Sequence, residues 1–109
     1  MDIQLLYFDG CPSWQSALTN LKLACAEENL DVSIQLVRLQ DVEEAMSRRF
    51  LGSPSIHVNN IDLWPEEQDE YFWGCRIYPT PVGLSGWPTV EMIRERIRDL
   101  VSSNPGAKS

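Results

Sequence analysis

Apolar positions along the chain follow two rhythms, and each change of rhythm marks a boundary between elements. Ile3 to Phe8 is a near-continuous apolar run, as expected of a central strand covered on both faces. After the turn signal Asp9-Gly10, the residues Ala17, Leu18, Leu21, Ala24 and Cys25 recur at helical spacing and predict one helix to about Asn29. Proline suits the first helical position, so Pro12 places Cys11 at the N-cap. Val32, Ile34 and Leu36 alternate with Ser33 and Gln35, which predicts a second strand. Reached by a helical crossover, it should lie parallel to the first.

Asp41 and Glu44 resemble a capping box with Asp in the Ser/Thr place. They open a short helix through Val42, Ala45 and Met46 that stops at Gly52. Pro54 introduces a strand from Ser55 to Val58, and Asn59-Asn60 is a tight hairpin turn into Ile61 to Leu63. Pro65 to Tyr71 carries Glu66, Glu67, Asp69 and Glu70 without periodicity and reads as an exposed acidic loop. Cys75 to Tyr78 has the pattern of a short strand, and the Pro- and Gly-rich stretch Pro79 to Pro88 that of a loop. The last helix starts at Pro88-Thr89 with a stripe of Val90, Ile93, Ile97, Leu100 and Val101. This order, βαβα then a hairpin then α, is an α/β sandwich with a mixed sheet. Residues 1–101 form one domain and 102–109 a flexible polar tail.

Composition changes this picture in a few places. The length of 109 residues fits one domain with a single core. A net charge of −7 argues against a nucleic-acid backbone or an anionic membrane surface as partner. No apolar run is long enough to span a bilayer, and acidic Asp2 with no basic leader points to a reducing, cytoplasmic setting. Three cysteines, Cys11, Cys25 and Cys75, are an odd number, too widely spaced for a disulfide framework or a zinc ribbon. No metal site and no cofactor motif is read.

The chemistry concentrates on Cys11. Free amides and the positive dipole end at a helix N-cap stabilise a thiolate, the species that attacks disulfides, peroxides or soft metals. The plainer alternative is a small buried residue at a strand end. Trp14 stands where a C-x-x-C pair has its second cysteine, so the motif cannot close its own disulfide. Trp14 is either an apolar wall over the thiol or an aromatic packed under a loop. Asp9 is a possible proton carrier, or simply part of the turn. Cys25, on the apolar stripe of the first helix, reads as a buried inert thiol. His57 reads as a side-of-sheet residue. Whether Cys75 resolves Cys11 depends on topology. If its strand pairs directly with Ser55 to Val58, it lies at the far end of the sheet, and ~3.3 Å per residue puts it beyond the ~7 Å Cα limit for a bridge. If Ile61 to Leu63 is that partner instead, Cys75 comes within reach and Arg76 would favour its thiolate. The Asn59-Asn60 turn favours the second arrangement, and a purely structural Cys75 stays open beside it.

The order of elements, with F-D-G-C-P-S-W at residues 8 to 14 and G-S-P-S-I at 52 to 56, resembles the thioredoxin fold over nearly the whole chain. In more detail the chain resembles the DF family of (seleno)proteins. There an FDGCP opening is followed by a segment like Cys75-Arg76-Ile77-Tyr78 and one like Gly83-Leu84-Ser85-Gly86-Trp87-Pro88. Some relatives carry selenocysteine in the first motif, and similar chains are sometimes labelled alkylmercury lyases. The resemblance implies redox chemistry at Cys11. It also implies a cis Pro54 that, with Ser53, presents backbone to an extended substrate. No Gly-Gly pair of the glutaredoxin kind follows the third strand, so glutathione binding gains no support.

Three functions are therefore expected in order. The first is a thioredoxin-like thiol oxidoreductase or redox-responsive protein, acting on a thiol or disulfide protein or small molecule. In it Cys11 attacks, Cys75 resolves, and Ser53, Pro54 and Trp14 position the substrate. The second is a soft-metal or organomercurial binder that uses the two thiols as a pair. The third is a thioredoxin-fold interaction domain without turnover, whose acidic loop and Tyr71-Phe72-Trp73 segment meet a partner.

Overall fold

The computed structural model describes residues 2–65 and 74–103. Its centre is β1 (Ile3–Tyr7), where Ile3, Leu5 and Leu6 are fully buried because both faces are covered. Helix α1 (Trp14–Glu27) carries the chain over to β2 (Ile34–Arg38), which pairs parallel with β1 from Ile3↔Ile34 to Tyr7↔Arg38. Helix α2 (Val42–Ser47) leads to β3 (Ser55–Val58), antiparallel to β1, and a hairpin lays β4 (Ile61–Asp62) antiparallel on β3. The turn residues Asn59 and Asn60 have φ of 53° and 68°, the left-handed conformation that a two-residue hairpin of this twist needs. The four-stranded sheet runs β2-β1-β3-β4 and is mixed, as predicted. A separate hairpin, β5 (Tyr78–Thr80) with β6 (Gly83–Ser85), precedes α3 (Val90–Ser103).

Two apolar clusters flank the sheet. On one side Ile3, Leu5, Ile56 and Val58 meet Ala17, Leu21, Ala24 and Cys25 of α1 and Ile93 and Ile97 of α3. On the other, Leu6, Val37 and Leu39 meet Ala45 of α2 and Phe50 just beyond it. Alternation along β1 explains this division, since neighbouring side chains point to opposite faces. Arg94 and Arg98 of α3 reach the Glu28 carboxylate at 2.8 and 3.0 Å, tying the end of α1 to α3. Among the described residues no helix is long and apolar enough to cross a membrane.

The structure departs from the sequence-based expectations at several boundaries. Helix α1 has Ser13, not Cys11, as its N-cap. The Cys11 amide is taken by the Phe8 carbonyl (3.3 Å), and Pro12 accepts from Gln15, so a turn precedes the helical ladder. The N-cap placement of Cys11 is thus corrected to two residues before the cap. Strand β2 lies later than the Val32–Leu36 pattern suggested, because register against β1 makes Val37 the buried residue and leaves Leu36 exposed at the sheet edge. Helix α2 ends at Ser47 rather than Gly52. There Arg49 turns left-handed (φ 53°) and the Phe50 amide returns to the Ala45 carbonyl. Asp41 caps Glu44 as foreseen, but the Glu44 carboxylate accepts from the Gln40 amide.

Cys75 to Tyr78 is not a strand: Cys75 makes an isolated parallel bridge to Ser53, and the strand begins at Tyr78. The expected loop Pro79 to Pro88 contains the β5–β6 hairpin, whose Val82 and Leu84 stand largely exposed. Helix α3 continues to Ser103, past the expected domain boundary. The acidic run 66–70, the aromatic segment 71–73 and residues 104–109 lie outside the described residues.

Phe50 anchors the α2 side of the sheet, fully buried and edge-on to Phe8 at 6.4 Å. Phe50→Ala should cost about 4 kcal/mol of unfolding free energy, read from a urea titration. A loss under ~1 kcal/mol would show that α2 does not depend on this anchor.

Candidate functional site

Two backbone segments make the site. The first is the exit from β1, where Phe8 leads through the Asp9-Gly10 turn to Cys11, leaving that thiol only 2% exposed. The second is Gly52-Ser53-Pro54, the approach to β3, whose Ser53-Pro54 peptide bond is cis, as the family resemblance implied. Gly52 has φ of +113°, and a Cβ there would lie 2.9 Å from the Arg76 Cβ. Only glycine lets these two segments approach so closely.

Ser53 holds the segments together. Its amide donates to Gly74 (2.8 Å), and its carbonyl accepts from Arg76 (2.9 Å), so Cys75 is pinned between the two bonds. The same carbonyl accepts from the Cys11 thiol at 3.4 Å, and the Ser53 hydroxyl accepts from the Phe8 amide at 3.3 Å. Ser53 is wholly buried. Its observed contacts are with the two cysteine segments, which it brings side by side.

Cys11 and Cys75 are thus neighbours across Ser53. The neighbouring Cys11 side chain first, then burial, holds the Cys75 thiol above the usual cysteine range. Cys75 is exposed whereas Cys11 is buried, and neither is in a disulfide. Arg76 does not favour the Cys75 thiolate as expected. Its side chain is buried, where it meets Asp62 at 2.7 Å. Cys25 is buried in α1, and burial pushes its thiol up. It belongs to the core cluster under α1 and α3.

Trp14 stacks on Tyr7 at 4.3 Å and packs half-buried against the α1–α3 core. Asp9 pairs with Arg38 at 3.2 Å, across the ends of β1 and β2 on the exposed surface. Gly86 lies against Ser13, where a Cβ would come within 2.5 Å of the Ser13 hydroxyl. Glycine at this position therefore allows the segment after β6 to rest on the start of α1. Among the described residues no group of three or more His, Cys, Asp or Glu side chains is placed to hold a metal ion.

The sequence reading missed the network behind Pro54. Arg76 donates to Asp62 (2.7 Å), to the Ser55 hydroxyl (3.0 Å) and to the Trp64 carbonyl (2.6 Å). Its guanidinium also lies over the Tyr78 ring at 5.0 Å, and the Tyr78 hydroxyl donates to the Pro54 carbonyl at 2.5 Å. Burial raises the Asp62 carboxyl, but the His57 ring, near it at 3.6 Å without a hydrogen bond, and the Arg76 charge outweigh it and hold Asp62 below the ordinary carboxylate range. The available signal was Asp62 itself, one carboxylate between Ile61 and Leu63 in a strand, which demands a buried partner.

Because the folded-state value of Asp62 is lowered, its contribution to stability is complete above the unfolded value and is lost as pH falls through the folded one. Asp62→Asn leaves Arg76 buried without its anion and should cost about 3 kcal/mol at neutral pH. The penalty should shrink on acidification. Urea midpoints measured across the acid range check this, and a penalty that does not vary with pH would refute the pairing.

Comparison with protein-family models, with curated proteins and with solved structures finds no match to this chain.

Proposed function

We propose that the protein is a thioredoxin-like thiol oxidoreductase or redox-responsive protein whose Cys11 and Cys75 cycle between dithiol and disulfide. The observation that carries this reading is that Ser53 gathers both cysteines: Cys75 is bridged to it in parallel, and its carbonyl accepts from the Cys11 thiol at 3.4 Å. It is supported by the sheet order β2-β1-β3-β4 and by the cis Ser53-Pro54 bond beside Cys11.

Exposure suggests an order of events opposite to the one expected from sequence. Cys75 is the sulfur that a disulfide substrate reaches, and Cys11 is the one that closes the internal bond. The Cys75 thiolate attacks one substrate sulfur, forming a mixed disulfide and releasing the other as a thiolate. Cys11 then gives up its proton and attacks the Cys75 sulfur, releasing the second substrate thiolate. Two electrons pass from the Cys11–Cys75 dithiol to the substrate disulfide. Because the Cys75 thiol is raised, its reaction quickens as pH rises through its own value. Ser53 positions both sulfurs, and Pro54, braced by Tyr78, fixes the backbone beside them. In this reading Trp14 braces Tyr7 at the end of β1, and Asp9, two residues before Cys11 and paired with Arg38, is the carboxylate for proton exchange.

Mild oxidation with diamide should yield one intramolecular Cys11–Cys75 disulfide with Cys25 still free, as mapped by peptide mass spectrometry. Disulfides that involve Cys25, or none within the monomer, would sink the reading. Cys11→Ala removes the first cause of the raised Cys75 value, so Cys75 alkylation at neutral pH should speed up. An unchanged pH profile would mean that the thiols do not interact. Titration with a mercurial separates the soft-metal alternative: one ion per thiol pair without disulfide turnover favours metal binding over redox exchange.

A further inference from the structure

Helix α2 has six residues and covers only part of its face of the sheet. Beyond it a polar row crosses all four strands: Gln35 opposite Gln4, Gln4 opposite His57, and His57 opposite Asp62. Gln4, His57 and Asp62 are all buried, and Gln4 hydrogen-bonds along the row to Gln35 at 3.4 Å. Such a row on the face of a sheet that elsewhere holds Leu6 and Val37 is costly unless its hydrogen bonds are completed.

One of them is not. His57 Nε2 is buried with no hydrogen-bond partner among the described residues. Asp62 Oδ2 is 3.6 Å away, too far for a hydrogen bond, and already takes the Arg76 guanidinium at 2.7 Å. Above the row lies a cavity of about 480 Å³, in the range of small-molecule sites. Arg48 and Arg49, from the turn that ends α2, line it. Neither makes an ion pair among the described residues, although acidic side chains outnumber basic ones sixteen to nine in the chain. Among the described residues the one carboxylate lining the cavity is Asp62, which pairs with Arg76.

We propose that this cavity binds a small organic anion, a carboxylate- or phosphate-bearing metabolite. Arg48 and Arg49 hold its charged head, Gln4 and His57 meet its polar groups, and Leu51 meets its apolar part. Arginine suits this role because its planar fork matches carboxylate and phosphate oxygens. Arg49 occupies a left-handed position (φ 53°) where glycine is easier, so a side chain there costs the fold something and gains a use at the cavity. The site is separate from the thiol pair and does not depend on redox activity.

His57 is the chain's one histidine, so its ring nitrogens give a single, unambiguous set of NMR signals. The full chain, labelled with ¹⁵N, is titrated at fixed pH with inorganic phosphate, with pyrophosphate and with succinate. A saturable shift of the His57 signals with any of them is the expected result, and which one saturates distinguishes a phosphate from a carboxylate ligand. Arg48→Gln with Arg49→Gln should weaken that binding by about tenfold or more, each lost charge-assisted contact acting on affinity. Arg49→Gly should weaken it too while melting no lower than the parent chain, since glycine relieves the left-handed position. His57 signals that stay in place with all three probes, or that shift equally in the double variant, would overturn the proposal.

Discussion

The buried guanidinium of Arg76 is the constraint from which the site follows. A charge that far from water must be matched by anion and acceptors together, and here they come from Asp62, Ser55 and the Trp64 carbonyl, with the Tyr78 ring beneath. These partners lie on β3, on β4, just after β4 and on β5. Satisfying one side chain therefore gathers these strands. The backbone of the same residue donates to Ser53, and the Tyr78 hydroxyl donates to Pro54, so the network ends at the segment that faces the cysteines.

The thiol pair depends on that gathering. Cys75 belongs to no strand of the main sheet, and its place beside Cys11 is set by two backbone hydrogen bonds to Ser53 and by the close packing that Gly52 allows. The Ser53 carbonyl that receives Arg76 also receives the Cys11 thiol. Stability and site geometry thus share the same few atoms. The open part of the sheet face under Arg48 and Arg49 has a related cause: Gln4, His57 and Asp62 occupy the row that a longer α2 would otherwise cover with apolar side chains.

Much of the architecture is legible without coordinates, for a physical reason. Burial on both faces makes β1 continuously apolar, a helix packed on a sheet must show its stripe, and Asn59-Asn60 tolerates the left-handed turn of a tight hairpin. Boundaries were harder to read. Pro12 suits a first helical position, yet the Phe8 carbonyl captured the Cys11 amide and moved the cap to Ser13. Leu36 follows a strand alternation, yet it lies at an edge that neither flanking cluster reaches. The Pro- and Gly-rich stretch after Tyr78 looked like a loop because its hairpin exposes Val82 and Leu84 and so lacks a buried face to print a pattern.

The sequence by itself determined the main element types, the mixed sheet and the hairpin after β3. These features follow from local periodicity and turn chemistry, which are carried by neighbouring residues. Tertiary structure alone decided that Cys75 lies against Cys11, that Arg76 turns away to Asp62, and that His57 faces a cavity rimmed by Arg48 and Arg49. Each of these is a contact between residues far apart in the chain. Its geometry depends on where burial forces a charge to find its partner, and no local pattern records that.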